Sequence, residues 1–153
     1  MHESMAQYRC LYISPNVMKN LEQAVLGAGE EAEVCGILGG YLKDTEEAVA
    51  TAVHPLLNLS LLKCSFAVDV EEFCRERDAI EDAGLVLLAL YHSHPNGSTQ
   101  TSFRDRELPR ITELPLLILA WDEGTLCLQC YGDVDGKIVP ISVVPYYDPE
   151  ADC

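Results

Sequence analysis

Apolar residues recur at helical spacing in the first part of the chain. This pattern follows Ser14-Pro15, and a serine before a proline is typical of the first turn of a helix. The glycines Gly27 and Gly29 indicate where the pattern stops. The sequence therefore predicts one amphipathic helix between these two signals.

A second helical pattern lies near the middle of the chain. Asp69 has the residue type of an N-cap, and Glu72 follows it at the spacing of a capping box. Gly84 indicates the end of the pattern. We expect a second helix over this stretch. A third, short helix is predicted to open at Ser102 and to end near Pro109.

Six further stretches have the apolar runs and flanking turn residues of strands. They are Val34 to Tyr41, Ala48 to His54, Leu85 to Tyr91, Leu116 to Trp121, Thr125 to Tyr131 and Lys137 to Val144. The third of these is wholly apolar and is expected to lie at the centre of the sheet. The order of elements predicts a mixed α/β domain whose sheet is largely antiparallel.

Length and charge narrow the class of protein. A chain of 153 residues fits one globular domain, and without a linker or repeat we assign residues 1–153 to a single domain. The formal net charge of −15 would repel phosphate backbones and anionic membranes, so no nucleic acid and no membrane is expected as a partner. Such a surface is found in proteins of halophiles, in proteins that steer a basic partner, and in acidic proteins where the charge has no role beyond solubility, and composition does not separate the three.

The cysteines indicate a reducing compartment. Their number is seven, which is odd, and the first residues have no apolar run able to serve as a secretion signal. The protein is therefore expected to be cytoplasmic, with reduced thiols. Cys127 and Cys130 have CxxC spacing, but residues three apart on a strand face opposite sides, so we interpret both as structural.

The candidate chemistry lies in one segment after the central strand. His92 and His94 are two residues apart, so both imidazoles point to one face of an extended chain. Ser102 and Asp105 follow with the spacing of a helix start. Two imidazoles and one carboxylate suit a hydrolytic zinc site, which keeps its fourth position for water.

Each part of this pattern has a simpler explanation. Ser102 and Asp105 alone would be interpreted as a helix cap and its partner. A His-x-His pair alone is more often structural than metal-bound. The complete pattern of His-x-His-Pro, six residues and Ser-x-x-Asp should arise by chance in about one of 100,000 chains of this length. Metal binding is therefore the favoured interpretation.

The segment resembles the signature of the JAMM (MPN-plus) metallopeptidases, and the chain is most similar to their stand-alone prokaryotic type. Members also have an upstream Glu-x-Cys-Gly stretch, which Glu33-Val-Cys35-Gly36 matches. The resemblance covers roughly residues 9 to 146. Spacing alone would not separate Glu33 from the neighbouring Glu30 and Glu31.

The resemblance implies a fold and a role for each matched residue. The MPN fold is similar to that of cytidine deaminases, with a curved mixed sheet flanked by helices. His92, His94 and Asp105 would bind one Zn²⁺ per chain. Glu33 would be the general base, and Ser102 would donate a hydrogen bond to the oxyanion of the tetrahedral intermediate.

The resemblance also implies a substrate class. Members cleave peptide or isopeptide bonds after the C-terminal Gly-Gly tail of ubiquitin-like proteins. The leading hypothesis is that this protein processes a ubiquitin-fold sulfur carrier. Two alternatives remain open: removal of a ubiquitin-like modifier from lysine side chains, and a non-catalytic MPN scaffold. Members of the last kind lose the metal ligands, which this chain retains.

Overall fold

A computed structural model of the chain describes residues 8–29, 32–60, 67–95, 99, 105, 109 and 112–152. It confirms the mixed α/β class. The strands are β1 (Cys10–Ile13), β2 (Cys35–Leu42), β3 (Glu47–Leu56), β4 (Val86–Ser93), β5 (Leu116–Asp122), β6 (Thr125–Val134) and β7 (Lys137–Val144). The helices are α1 (Pro15–Ala28) and α2 (Val70–Asp82), and a 3-10 turn spans Pro149–Asp152.

The seven strands form one closed sheet. Their order is β1-β3-β2-β4-β5-β6-β7, and β7 pairs again with β1. Four pairings are antiparallel, and three, β1 with β3, β1 with β7 and β4 with β5, are parallel. The sheet is thus mixed, as expected, but it closes on itself instead of remaining open at two edges.

Strand β1 was not among the six predicted strands. It has only four residues, and its side chains alternate between half-buried and buried. Four residues are too few for a period to be recognised beside the strong helical signal that follows. The strand exists because it fits between β3 and β7 and pairs in parallel with both.

The ends of α1 follow the predicted signals. The side chain of Ser14 accepts a hydrogen bond from the backbone N–H of Val17, 3.3 Å away, and Pro15 occupies the first turn. Gly29 follows the helix with φ 66°, a left-handed conformation that glycine adopts without a steric penalty. Local sequence alone therefore determined both ends of this helix.

The start of α2 was predicted correctly, but its capping box was not. Asp69 is the N-cap and accepts a hydrogen bond from the backbone N–H of Glu71. Glu72 Oε1 instead accepts from the backbone N–H of Leu57 at 2.9 Å, across from the end of β3. A tertiary contact therefore replaces the local one. Of the predicted short helix from Ser102 to Pro109, Ser102 and most other residues lie outside the described part of the chain.

Both faces of the sheet are covered. Leu117 and Leu119 of β5 pack with the buried residues of α1, whereas Leu116 and Ile118 pack with the group that contains Ile80 of α2. Successive residues of β5 therefore enter two different apolar clusters, which explains why this strand is continuously apolar. The two helices therefore pack against opposite faces of the central strands.

At Gly40 the neighbouring strands leave no room for a side chain. The register of β2 against β3 shifts between Gly39 and Gly40, and a Cβ on Gly40 would overlap the carbonyl oxygen of Val49 and lie 2.9 Å from Leu88 Cδ1. Gly40→Ala is expected to lower the free energy of unfolding by about 3 kcal/mol, measured by urea denaturation.

Gly27→Ala is the matched control for this prediction. No atom lies within 4 Å of a Cβ built on Gly27, which is in α1, so this change should raise stability by about 0.5 kcal/mol. Equal effects of the two substitutions would contradict the close approach at Gly40.

Within the described residues, no helix is both long enough and apolar enough to cross a membrane.

Candidate metal site

Strands β2 and β4 place the first two site residues side by side. The strands are antiparallel, and Cys35 at the start of β2 lies opposite His92 near the end of β4. Glu33 precedes β2 by two residues. The backbone N–H of Ser93 donates to the carbonyl oxygen of Val34 at 2.9 Å, so the pairing continues beyond Cys35. Glu33 is thereby held beside the end of β4.

The neighbouring strand β5 positions His94. Strands β4 and β5 are parallel, and the backbone N–H of His94 donates to the carbonyl oxygen of Leu119 at 2.8 Å. His92 and His94 meet edge to face, with ring centroids 4.8 Å apart. The two imidazoles therefore project from the same end of the sheet, as their two-residue spacing predicted.

The carboxylate of Asp105 lies against both imidazoles. Its Oδ1 is 2.8 Å from His92 Nε2, and its Oδ2 is 3.0 Å from His94 Nε2. The side chains of His92 and Asp105 are 2% and 3% exposed, and that of His94 is 13% exposed. The only one of these three groups with appreciable access to solvent is thus the second imidazole.

Glu33 contacts the opposite nitrogen of His92. Glu33 Oε1 lies 2.9 Å from His92 Nδ1, and the side chain is 3% exposed. Among the residues that the structure describes, none donates a hydrogen bond to the other oxygen, Oε2, which is also buried. A buried carboxylate oxygen without a donor is costly unless a further group, such as a water molecule, occupies the site.

The pKa of His92 reflects this environment. Burial lowers the pKa, since it disfavours the charged imidazolium, but hydrogen bonds with Asp105 and then with Glu33 outweigh that effect. The net result is that the pKa of His92 is raised above its usual value. An imidazole must be neutral to bind a metal ion, so metal binding is expected to weaken as the pH falls.

The donor atoms suit a divalent metal ion. A carboxylate oxygen of Glu33 and ring nitrogens of His92 and His94 all lie within 4.8 Å of one another. The two oxygens of Asp105 lie against the Nε2 atoms of His92 and His94. These three side chains together offer two nitrogens and one carboxylate to an ion. Ligands of a tetrahedral zinc ion lie about 3.3 Å apart when each bond is about 2.0 Å. The 2.8 and 3.0 Å separations seen here would need to widen by only a few tenths of an ångström.

Four of the five residues singled out from the sequence meet at this point. The structure brings together Glu33, His92, His94 and Asp105. The fifth, Ser102, lies outside the described residues. The roles of all five as ligands, base and oxyanion donor stay predictions, and what the structure adds is the proximity of four of them.

Three supporting residues were missed by the sequence analysis. Ser93 Oγ accepts a hydrogen bond from the backbone N–H of Val34, and Asn58 Nδ2 donates to the carbonyl oxygen of Glu33. The hydroxyl of Tyr131 donates to the carbonyl oxygen of Thr99, in the connection between His94 and Asp105. Only Ser93 could have been suspected, because it lies between the two histidines.

Two buried cysteines, Cys35 and Cys130, have thiols with raised pKa values. Burial, followed by the neighbouring Glu33, raises the pKa of Cys35 to about 12, and its thiol lies 3.7 Å from the carbonyl oxygen of Leu56. Burial likewise raises the pKa of Cys130 to about 12. Cys130 is buried and Cys127 half-buried, and both are free thiols. A protonated Cys35 is a poor metal ligand, and its side chain packs in the apolar cluster that contains Ile80.

The same fold is found in solved proteins. A solution structure of a protein from Desulfitobacterium hafniense matches with a TM-score of 0.75 and 21% identity, covering 92% of this chain and 96% of that one. A solution structure of a protein from Salinibacter ruber matches with a TM-score of 0.65 and 21% identity, covering 91% and 93% of the two chains. At this level of identity the likeness concerns the fold alone.

Sequence comparison gives the family. The model described as prokaryotic homologs of the JAB domain matches residues 21–131. The chain belongs to this Prok-JAB family, and the resemblance to the JAMM proteins is confirmed. A curated relative, the desampylase of Haloferax volcanii, is 39% identical over 77 residues, which make up 50% of this chain and 53% of that protein. The match thus spans about half the length of the curated relative.

Proposed function

We propose that this protein is a zinc-dependent hydrolase that cleaves the bond after the C-terminal Gly-Gly tail of a ubiquitin-like protein. The observation that carries the proposal is the convergence of His92, His94 and Asp105, with the buried carboxylate of Glu33 beside them. Two imidazoles and one carboxylate are a ligand set of hydrolytic zinc sites, and such sites keep a coordination position open.

The proposed division of labour follows from the contacts. His92, His94 and Asp105 would hold the ion, which supplies Lewis acidity and lowers the pKa of water to about 7 when bound. Glu33 Oε1 orients His92 through Nδ1, as carboxylates behind metal-binding histidines commonly do. Its second oxygen, Oε2, is then left to take a proton from the attacking water and pass it to the leaving amine.

Ser102 is proposed to complete the site. It would donate a hydrogen bond to the oxyanion that forms when the scissile carbonyl is attacked. The support for this role is the sequence pattern, in which Ser102 precedes Asp105 by three residues after His-x-His-Pro.

The family relative bears on the choice of substrate. The curated relative from Haloferax volcanii is named a desampylase, which is a name for an enzyme that removes an attached group. This favours an isopeptide bond to a lysine side chain, which the sequence analysis ranked second. A linear extension on a ubiquitin-fold sulfur carrier remains the other candidate, since the bond-cleaving groups would be the same. The five cysteines within the described residues are free thiols, which supports the cytoplasm as the proposed compartment.

The two substrates can be compared directly. One ubiquitin-like protein ending in Gly-Gly would be prepared in two forms, with a short C-terminal peptide extension and with an isopeptide bond to a lysine. Each would be incubated with the zinc-loaded protein and followed by intact mass. We expect the isopeptide conjugate to be cleaved faster, and a chelator to stop cleavage. A protein that binds zinc but cleaves neither form would instead support the non-catalytic scaffold.

A further inference from the structure

The peptide group that joins Glu33 to Val34 is held by two side chains from other parts of the chain. Its carbonyl oxygen, on Glu33, accepts a hydrogen bond from Asn58 Nδ2 at 3.0 Å. Its N–H, on Val34, donates to Ser93 Oγ at 2.9 Å. Strand β2 begins only at Cys35, so neither bond belongs to the backbone ladder of the sheet. Both polar atoms of one peptide group are therefore fixed by side chains.

Ser93 contacts Val34 twice. Besides the hydroxyl contact, the backbone N–H of Ser93 donates to the carbonyl oxygen of Val34 at 2.9 Å. Ser93 is 4% exposed and stands between His92 and His94 in the chain. One residue thus links the segment that carries Glu33 to the segment that carries both imidazoles.

Asn58 makes the second link. Its Oδ1 accepts hydrogen bonds from the backbone N–H groups of Ser60 at 2.9 Å and Ala67 at 3.0 Å. These two residues lie within the connection between β3 and α2, on either side of residues 61–66. The same side chain therefore holds the base of that connection and, through Nδ2, the carbonyl of Glu33.

We infer that Ser93 and Asn58 are positioning residues for the Glu33 carboxylate. The orientation of the peptide group after Glu33 sets the backbone angle ψ of Glu33, and with it the direction in which the side chain leaves the backbone. The carboxylate is then placed 2.9 Å from His92 Nδ1. This role rests on the proposed function, in which Glu33 carries the proton. A displacement of about 1 Å can reduce turnover by about a hundredfold.

The kinetic test uses S93A, N58A and the double variant. Each single change is expected to lower kcat about tenfold or more, with KM changed less than about twofold, because the proton carrier and not substrate binding is displaced. Zinc content should stay near one per chain. The two bonds hold one peptide group, so the double variant should lose less than the product of the single losses. S93T, which keeps the hydroxyl, should restore most of the activity.

Matched controls separate positioning from general destabilisation. S142A removes an exposed strand hydroxyl, and N20A removes an exposed amide on α1. Both should leave kcat unchanged. If S93A lowered the melting temperature but left kcat at the level of S142A, the positioning role would be overturned.

A second measurement does not depend on activity. The exchange rate of the Val34 amide hydrogen, followed by NMR without metal, should rise about fivefold or more in S93A, because its acceptor is lost. It should be unchanged in S142A. An unchanged exchange rate in S93A would show that Ser93 Oγ does not hold the Val34 amide, and the inference would be overturned. The parent protein could cleave no conjugate while the Val34 amide still exchanges faster in S93A. In that case the proposed function fails, but the fixing of the Glu33–Val34 peptide group by Ser93 is supported.

Discussion

Glu33→Gln is expected to lower kcat about a thousandfold while the protein still binds one zinc ion per chain. Glutamine keeps an oxygen that can accept from His92 Nδ1, so the imidazole retains its orientation. It cannot take up a proton, and general bases of this kind contribute about 10² to 10⁴ in rate. Steady-state cleavage of the conjugate measures kcat, and metal analysis of the purified variant measures its zinc content.

Glu71→Gln is the matched control. Glu71 lies in the exposed first turn of α2, so the same loss of one negative charge occurs at the surface. Its kcat should equal that of the parent protein. If Glu33→Gln lost its zinc, Glu33 would be needed for metal binding; if it kept full turnover, another group would be the base.

Asp105→Ala is expected to weaken zinc binding by more than about a hundredfold and to abolish cleavage. The carboxylate contacts the Nε2 atoms of both imidazoles, Oδ1 at 2.8 Å and Oδ2 at 3.0 Å. Loss of a residue that merely supports a metal ligand costs about 10- to 100-fold in affinity, and loss of a ligand should cost more. Competition with a chromogenic chelator measures the affinity.

Thermal unfolding gives an independent measure of the loss of zinc binding in Asp105→Ala. Zinc binds the native state, so added zinc should raise the melting temperature of the parent protein but hardly that of Asp105→Ala. Asp78→Ala is the control, because it removes an exposed carboxylate paired with Arg77 on the surface, where such pairs contribute little. An undiminished response to zinc in Asp105→Ala would show that Asp105 is not a ligand.

Much of the fold could be predicted because most elements carry their own local signals. The ends of α1 follow from Ser14, Pro15 and Gly29, and the last three strands follow from apolar runs between turns. Both turns have two successive residues with positive φ, Glu123-Gly124 and Asp135-Gly136. The closure of the sheet could not be predicted, because β1 has too few residues to show a period.

The site was predictable to the extent that its residues are close in sequence. His92 and His94 share a face because they are two apart on an extended chain. Glu33 was found only through the family resemblance, since nothing local separates it from other acidic residues nearby. Asn58 carries no signal at all: its role depends on the pairing of β2, β3 and β4, which brings the end of β3 beside Glu33.

The parallel pairing of β1 with β7 places Cys10 opposite Ser142. During synthesis on the ribosome, β1 can pair with β3 but not with β7 until β7 has emerged, and until then the sheet keeps open edges. We therefore expect the nascent chain to be prone to association until β7 has emerged. A permuted gene in which β7 directly precedes β1 would let these two strands pair early and would move the last closure of the sheet to β6 and β7.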